Sequence, residues 1–189
     1  MDTTGERQEG IKLEEIESKH VERYRYATKF CVGKKVLDAG CGVGYGSSII
    51  SSVANCVVSI DNSQYAIDYA NKHWSRDNVK FLVTDLTGEI HHLGLFDVIV
   101  TFENVEHLPI PIFDTCCKYY NALLPNGLLI ISHPEKEPVC KNKFHYHFNI
   151  DGKKFSSDLV KIGFKVEEDW LQPKRFVADY HIVVARKYA

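Results

Sequence analysis

No apolar run in the sequence approaches the roughly 18 to 20 residues that span a bilayer, so no membrane-crossing helix and no membrane insertion are expected. No CxxC pair occurs among the cysteines at 31, 41, 56, 116, 117 and 140, which removes the compact zinc and thioredoxin-like readings. Several of them lie inside apolar runs where a disulfide partner is hard to reach, and they read as reduced thiols of a cytoplasmic protein. Neither sign of charge prevails: Lys+Arg 23 against Asp+Glu 25 leaves a net charge of -2, with no general attraction to nucleic acid or anionic lipid. The opening MDTTGERQEGIK lacks an apolar core, so no secretion leader is expected, and the chain shows no internal repeat or low-complexity tract.

What is present is the composition of a soluble globular protein, 44% hydrophobic and 25% charged over 189 residues. A chain of this size buries about 70% of the surface its unfolded form exposes, so one core suffices. Residues 1–12 read as an N-terminal arm and 13–189 as a single domain. Leu13 to Phe30 has apolar residues at three to four residue intervals and predicts an amphipathic helix. KVLDAG, CVVSID, VKFLVTD, FDVIVTFE and LLIISH predict five short buried strands, the last entered through an LPNG turn. Helices are predicted between them, over YGSSIISSVAN, from an Asn62 or Ser63 cap to about His73, and from beyond Pro111 toward Leu124. Such alternation predicts an α/β fold, a doubly wound Rossmann-like sheet that is mostly parallel and covered by helices on both faces. SSDLVKIG then gives a last helix, and FKVEEDWL and FVADYHIVVAR complete seven strands. The link between these two is too short for a crossover helix, so the last strand is antiparallel.

The stretch KKVLDAGCGVGYGSS puts glycines at 40, 42, 44 and 46 directly after the first strand, with Asp38 just ahead of them. Each glycine in an element interior costs roughly 0.5–1 kcal/mol relative to alanine, so the cluster implies a turn or a ligand that forbids side chains. Ligands of open parallel sheets sit beyond the carboxyl ends of the strands, where Asp38, Asp61 and Asp85 also fall. Asp61 follows the glycines by about 20 residues, the spacing at which a carboxylate accepts ribose hydroxyls. The dinucleotide fingerprint GxGxxG fits poorly: Tyr45 stands where one register needs its third glycine, and Ser47 where the other does. Asp38 would also repel a pyrophosphate. A cationic ribonucleoside without phosphates suits an acid-rimmed turn better.

These motifs together, VLDAGCGVGYGS, VVSIDNS, FLVTDL, FDVIVTFENVEHL and LLPNGLLIISHP, resemble in kind and order those of class I S-adenosylmethionine-dependent methyltransferases. The resemblance covers nearly the whole chain. It implies S-adenosyl-L-methionine as cofactor, with Gly40, Cys41, Gly42 and Gly44 near its methionine and ribose parts and Asp38 toward its ammonium end. It also implies Asp61, followed by Asn62, at the ribose, Asp85 and Leu86 at the adenine, and Glu103 and Tyr24 at the cofactor's mouth. TTGER followed by ESKHVERYRY, and NKFHYHFN after the fifth strand, resemble a glycan-associated subgroup with TGER, HxxRY and NPFHxRE segments. Lys143 and His147 depart from that last pattern, standing where proline and arginine are usual. The implied acceptor is a sugar hydroxyl of a nucleotide sugar or glycan end, with a functional link to a glycosyltransferase. A phenol, quinone precursor or amine acceptor, and an inactive cofactor-binding partner subunit, stand as alternatives.

Methyl transfer from a sulfonium needs no general acid, because the thioether leaves neutral; alignment and exclusion of water carry much of the rate. An alcohol acceptor gains about 10²–10⁴-fold from a base of near-neutral pKa. His107, on the loop after the fourth strand, is the first candidate base and His145 the second. Glu106, His133, Tyr146 and His147 are the substrate-binding candidates; Phe144, Tyr146 and Phe148 offer rings to stack on a sugar. His20, Arg23 and Tyr24 stand on the first helix, where they can close over the cofactor. Cys140, His145 and His147 with His133, and Glu103, Glu106 and His107, contain ligand types but no closed zinc spacing, so no metal is expected.

Overall fold

A computed structural model describes residues 9–136, 145–173 and 179–188. They fall into two compact units that divide after Asp85.

In the first unit the predicted opening helix is broken. A 3₁₀ turn at Leu13–Glu15 precedes α1 (Ser18–Cys31), because Ile16 adopts extended backbone and buries its side chain. Gly10 lies beside them, its carbonyl accepting the Trp74 indole N–H at 3.0 Å. β1 (Lys35–Ala39), β2 (Cys56–Asp61) and β3 (Val79–Val83) are parallel, with β2 between the other two. α2 (Tyr45–Ser51) follows β1 and α3 (Gln64–His73) follows β2; Ser63 caps α3, its hydroxyl accepting from Ala66 N–H at 3.3 Å. Burial pushes the Cys31 thiol, at the end of α1, up to about 12, with the Asp38 charge adding to the effect.

In the second unit β4 (Phe96–Thr101) leads through a 3₁₀ turn, Val105–His107, into α4 (Ile112–Ala122). β5 (Leu123–Pro134) pairs with β4 in parallel. The expected LPNG turn is absorbed into β5 as an irregularity: Phe96 pairs with Leu123 but Val98 with Leu128, and Asn126 takes φ 62. Two side-chain donors within the unit hold this detour, since the Asn126 carbonyl accepts from the Arg186 guanidinium at 2.9 Å and the Leu123 carbonyl from Lys187 Nζ at 2.8 Å. α5 (Gly152–Ile162) begins at an Asp151 cap, and β6 (Phe164–Gln172) and β7 (Tyr180–Lys187) follow. β7 is antiparallel to both neighbours, β5 and β6. One extra β6 residue between Val166 and Glu168 forms a bulge; it is Glu167, gripped by Arg186 through two contacts of 2.7 and 2.8 Å. The Cys116 thiol on α4 is buried, which raises its pKa.

The seven strands form one mixed sheet in the order β3-β2-β1-β4-β5-β7-β6, flanked by helices, as the alternation of segments predicts.

Candidate active site

The glycine turn of the first unit answers for its own composition. Gly40, Gly42 and Gly44 have φ of 78, 53 and 92, a region that costs an L side chain roughly 1–2 kcal/mol. A Cβ on Gly44 would meet Ala70 Cβ at 2.6 Å, and one on Gly46 would meet the Tyr24 ring at 2.1 Å. A Cβ on Gly42 would meet nothing within 4 Å. Three glycines of this stretch are thus accounted for by the turn and its packing, whereas Gly42 also keeps its outer side clear. The backbone is hung on β2, with the N–H groups of Gly40 and Cys41 both donating to the Ile60 carbonyl at 2.8 and 2.9 Å.

Two carboxylates stand behind and beside this turn. Asp61 Oδ2 accepts from Gly42 N–H at 3.0 Å and Oδ1 from Ser63 N–H at 2.9 Å, which fixes the carboxylate at the end of β2. Asn62 beside it is exposed. Asp38 is 0% exposed and accepts from Ser47 Oγ at 2.6 Å and from Tyr24 Oη at 3.2 Å. Burial pushes its carboxyl up to about 7, against the opposing pull of these two hydroxyls and with a further rise from the Asp61 charge. The Tyr24 hydroxyl is likewise raised well above its usual value by burial and by Asp38. Tyr24 therefore packs on Gly46 and holds Asp38, while Arg23 is buried and bonded to His20 Nδ1 at 2.8 Å. Asp85 ends this unit as an exposed residue.

In the second unit Leu86 is buried, and Glu103 follows β4 with φ 50. Ser132 of β5 supports that backbone: its Oγ accepts from Glu103 N–H at 3.1 Å and donates to Glu103 Oε1 at 2.7 Å. Asn104 anchors the next turn through Thr101 at 3.0 Å and Tyr119 at 3.3 Å. The buried Glu106 then presents its carbonyl to the N–H groups of Tyr146 at 2.7 Å and His147 at 3.2 Å. Those bonds bring together residues about 40 apart in sequence, so that the His107 and His145 rings meet edge to face with centroids 4.5 Å apart. His147 Nε2 donates to the Ile110 carbonyl at 2.8 Å. A cleft of about 640 Å³ is lined by Ile110, Phe113, Tyr146, His147, Phe148 and Lys154 among others, with neither His107 nor His145 on its wall. Tyr146, 64% exposed, is the most open of the substrate-binding candidates.

His133 lies apart from that pair. It is 0% exposed, bonded at 3.0 Å to His181, and burial lowers its pKa to about 4. Among the described members of the candidate cluster of Cys140, His145, His147 and His133, His145 packs on His107, His147 donates to the Ile110 carbonyl and His133 bonds to His181. Cys140, Phe144, Lys143 and the TGER segment lie outside the described residues. Sequence reasoning assigned no role to Ser47, Ser132 or His181. Ser47 alone carried a signal, as the polar residue where a dinucleotide turn would place its third glycine.

A ribonucleoside sulfonium fits the first unit's residues. Gly42 leaves room on the outer side of the turn, and the adjoining side chains are carboxylates rather than the basic groups that a pyrophosphate selects.

A family model described as a methyltransferase domain matches residues 32–175. A protein of Mycolicibacterium smegmatis named as a probable S-adenosylmethionine-dependent methyltransferase is 26% identical over 162 residues, covering 79% of this chain and 59% of its own length. A ubiquinone biosynthesis O-methyltransferase of a Shewanella species is 26% identical over 151 residues, covering 77% and 61%. The chain thus spans about three fifths of the curated relatives it matches. The N-methyltransferase NodS of Bradyrhizobium japonicum WM9, solved with S-adenosyl-L-homocysteine, superposes with a TM-score of 0.72 at 20% identity, covering 90% of this chain and 86% of that one.

Proposed function

From the premise that this chain belongs to the methyltransferase-domain family, with more than half its length inside the family match, we propose that it is an S-adenosylmethionine-dependent O-methyltransferase acting on a hydroxyl group. The observation that carries the reading is the turn at Gly42, left-handed, clear on its outer side and bonded to the Asp61 carboxylate. When bound, the cofactor supplies an electrophilic methyl group on a sulfonium whose thioether leaves without a proton.

The chain's own part is positioning and proton handling. Asp61 accepts the ribose hydroxyls, while the Gly40 to Gly44 backbone lets the nucleoside approach without a side chain in the way. Asp85 and Leu86 take the adenine, and Asp38 and Glu103 serve the amino-acid end, Asp38 by attracting positive charge. His107 takes the acceptor's hydroxyl proton on a ring nitrogen, with His145 packed against it and Glu106 beneath both. The cleft walled by Tyr146 and His147, the two residues that follow His145 in the chain, holds the acceptor and keeps water from it.

The acceptor of the first reading is a sugar hydroxyl, on a nucleotide sugar or a glycan end, supported by the resemblance of the HxxRY helix and the FHYHFN loop to the glycan-associated subgroup. A second reading, a phenol or quinone precursor, is favoured by the cleft's apolar walls, including Ile110, Phe113 and Phe148, and by the named activity of the Shewanella relative. Labelled methyl transfer onto panels of nucleotide sugars, glycan ends, phenols and amines decides between them. Transfer confined to sugars supports the first reading, and transfer confined to phenols replaces it by the second. Binding of S-adenosylmethionine without transfer to any class supports a partner subunit, and absence of binding by the folded chain refutes the cofactor assignment.

A further inference from the structure

His133 on β5 and His181 on β7 are direct cross-strand partners, both buried, with His133 Nε2 3.0 Å from His181 Nδ1. Their outer nitrogens are committed. His133 Nδ1 lies 3.1 Å from the Pro134 carbonyl, and His181 Nε2 lies 2.5 Å from Asp169 Oδ1. A carbonyl and a carboxylate only accept, so both outer nitrogens must carry the protons. With the outer nitrogens protonated, the 3.0 Å gap between the inner nitrogens must hold one further positive centre, a proton shared by the two rings or a metal cation.

The surroundings complete a ligand set. Glu135 joins the two histidines, and ligand atoms of the three residues all lie within 4.8 Å of one another. Gly152 N–H donates to Glu135 Oε2 at 2.8 Å. A Cβ at Gly152 would lie 2.7 Å from Glu135 Oε2 and 2.8 Å from His181 Nδ1, so glycine keeps clear the space that these two atoms face. Behind His181, Asp169 is itself held by Ser156 Oγ at 2.6 Å. Ligand imidazoles in metal sites characteristically have their far nitrogens bonded to a carboxylate or a carbonyl, as both do here. Two ligand nitrogens about 2.0–2.1 Å from a tetrahedral ion stand roughly 3.3 Å apart, close to the observed separation.

We propose that His133, Glu135 and His181 bind one divalent transition metal ion of the zinc type, with Asp169 as a positioning residue. Two imidazole nitrogens and one carboxylate oxygen suit zinc better than calcium or magnesium, which prefer oxygen alone. The ion links the end of β5 to β7 beside the start of α5.

The test uses the full chain, stripped with a chelator, titrated with zinc chloride by calorimetry and with cobalt chloride by visible absorption. The expected result is one ion per chain and a cobalt spectrum of a nitrogen and oxygen site. Buried histidine variants risk unfolding, so the informative ones are Glu135→Gln and Asp169→Asn, checked for native circular dichroism. Asp169→Asn is expected to weaken zinc binding about 10- to 100-fold, and Glu135→Gln to weaken it also. No zinc binding by the folded chain overturns the proposal, as does zinc binding by both variants as tight as that of the unsubstituted chain. Zinc binding that is lost in His107→Ala but kept in Glu135→Gln also overturns it, because the ion then sits at Glu106, His107 and His145. A proton found by NMR in the His133–His181 gap that persists with excess zinc assigns the positive centre to hydrogen and refutes the metal.

Discussion

Ser47 donates its hydroxyl to Asp38 at 2.6 Å, across the glycine turn that separates them. The contact ties the first residue pair of the turn's frame, one on β1 and one on α2, and it fixes a carboxyl group whose pKa burial has moved to about 7. Four measurements follow from the sites built around this frame and around His107.

A cationic ligand beside Asp38 favours its ionised form, so binding at pH 6 should release a proton and affinity should climb between pH 6 and 8. Calorimetry in buffers of different ionisation enthalpy reads the proton directly, and Asp38→Asn should abolish the dependence. Stability has the opposite slope. The carboxyl ionises near 3.8 when unfolded and near 7 when folded, so the folded state holds the extra proton in between. The contribution of this carboxyl to stability is therefore full below about pH 4 and is lost as pH rises to about 7, by on the order of 4 kcal/mol as an upper bound. Urea unfolding of Asp38→Asn should flatten that fall.

Gly42→Ala and Gly46→Ala should separate binding from folding. Alanine at Gly42 meets no atom of the protein and bears only the left-handed backbone cost of roughly 1–2 kcal/mol, yet it should abolish detectable cofactor binding. Alanine at Gly46 collides with the Tyr24 ring and should lower stability by about 1–3 kcal/mol. Thermal melts paired with calorimetry distinguish the two.

Asp61→Ala should weaken S-adenosylmethionine binding by about 100-fold or more, the loss expected when hydrogen bonds to a charged acceptor disappear. Unchanged affinity would remove the ribose assignment.

His107→Ala should lower kcat about 10²–10⁴-fold with little change in cofactor affinity, the signature of a lost base rather than a lost binding contact. Equal activity in His107→Ala together with a large loss in His145→Ala would transfer the proton-accepting role to the second ring.

Most of the fold was legible because β1, β2 and β4 are short apolar runs, and β2 coincides with the CVVSID segment. The boundaries that shifted depended on neighbours in space. Ile16 leaves the helix to bury itself, and the LPNG turn yields to strand pairing with β4 and to the Arg186 and Lys187 contacts from β7. The glycine turn itself was legible through composition and spacing, and its left-handed backbone and its bond to Asp61 follow from them. The meeting of His107 with His145 and of His133 with His181 was not legible, since each joins residues separated by long stretches of chain. The members of the latter pair are 48 positions apart, and the pair becomes visible only once β5 and β7 are paired.

Under the proposed activity, the chain spends its working life beside an alkylating agent and must avoid becoming its own acceptor. A thiol raised to about 12, as Cys31 is, exists as nucleophilic thiolate in roughly one part in 10⁵ at neutral pH, and Cys116 is shielded in the same sense. Burying sulfur in this way lets cysteine fill interior space without offering a competing target to the electrophile.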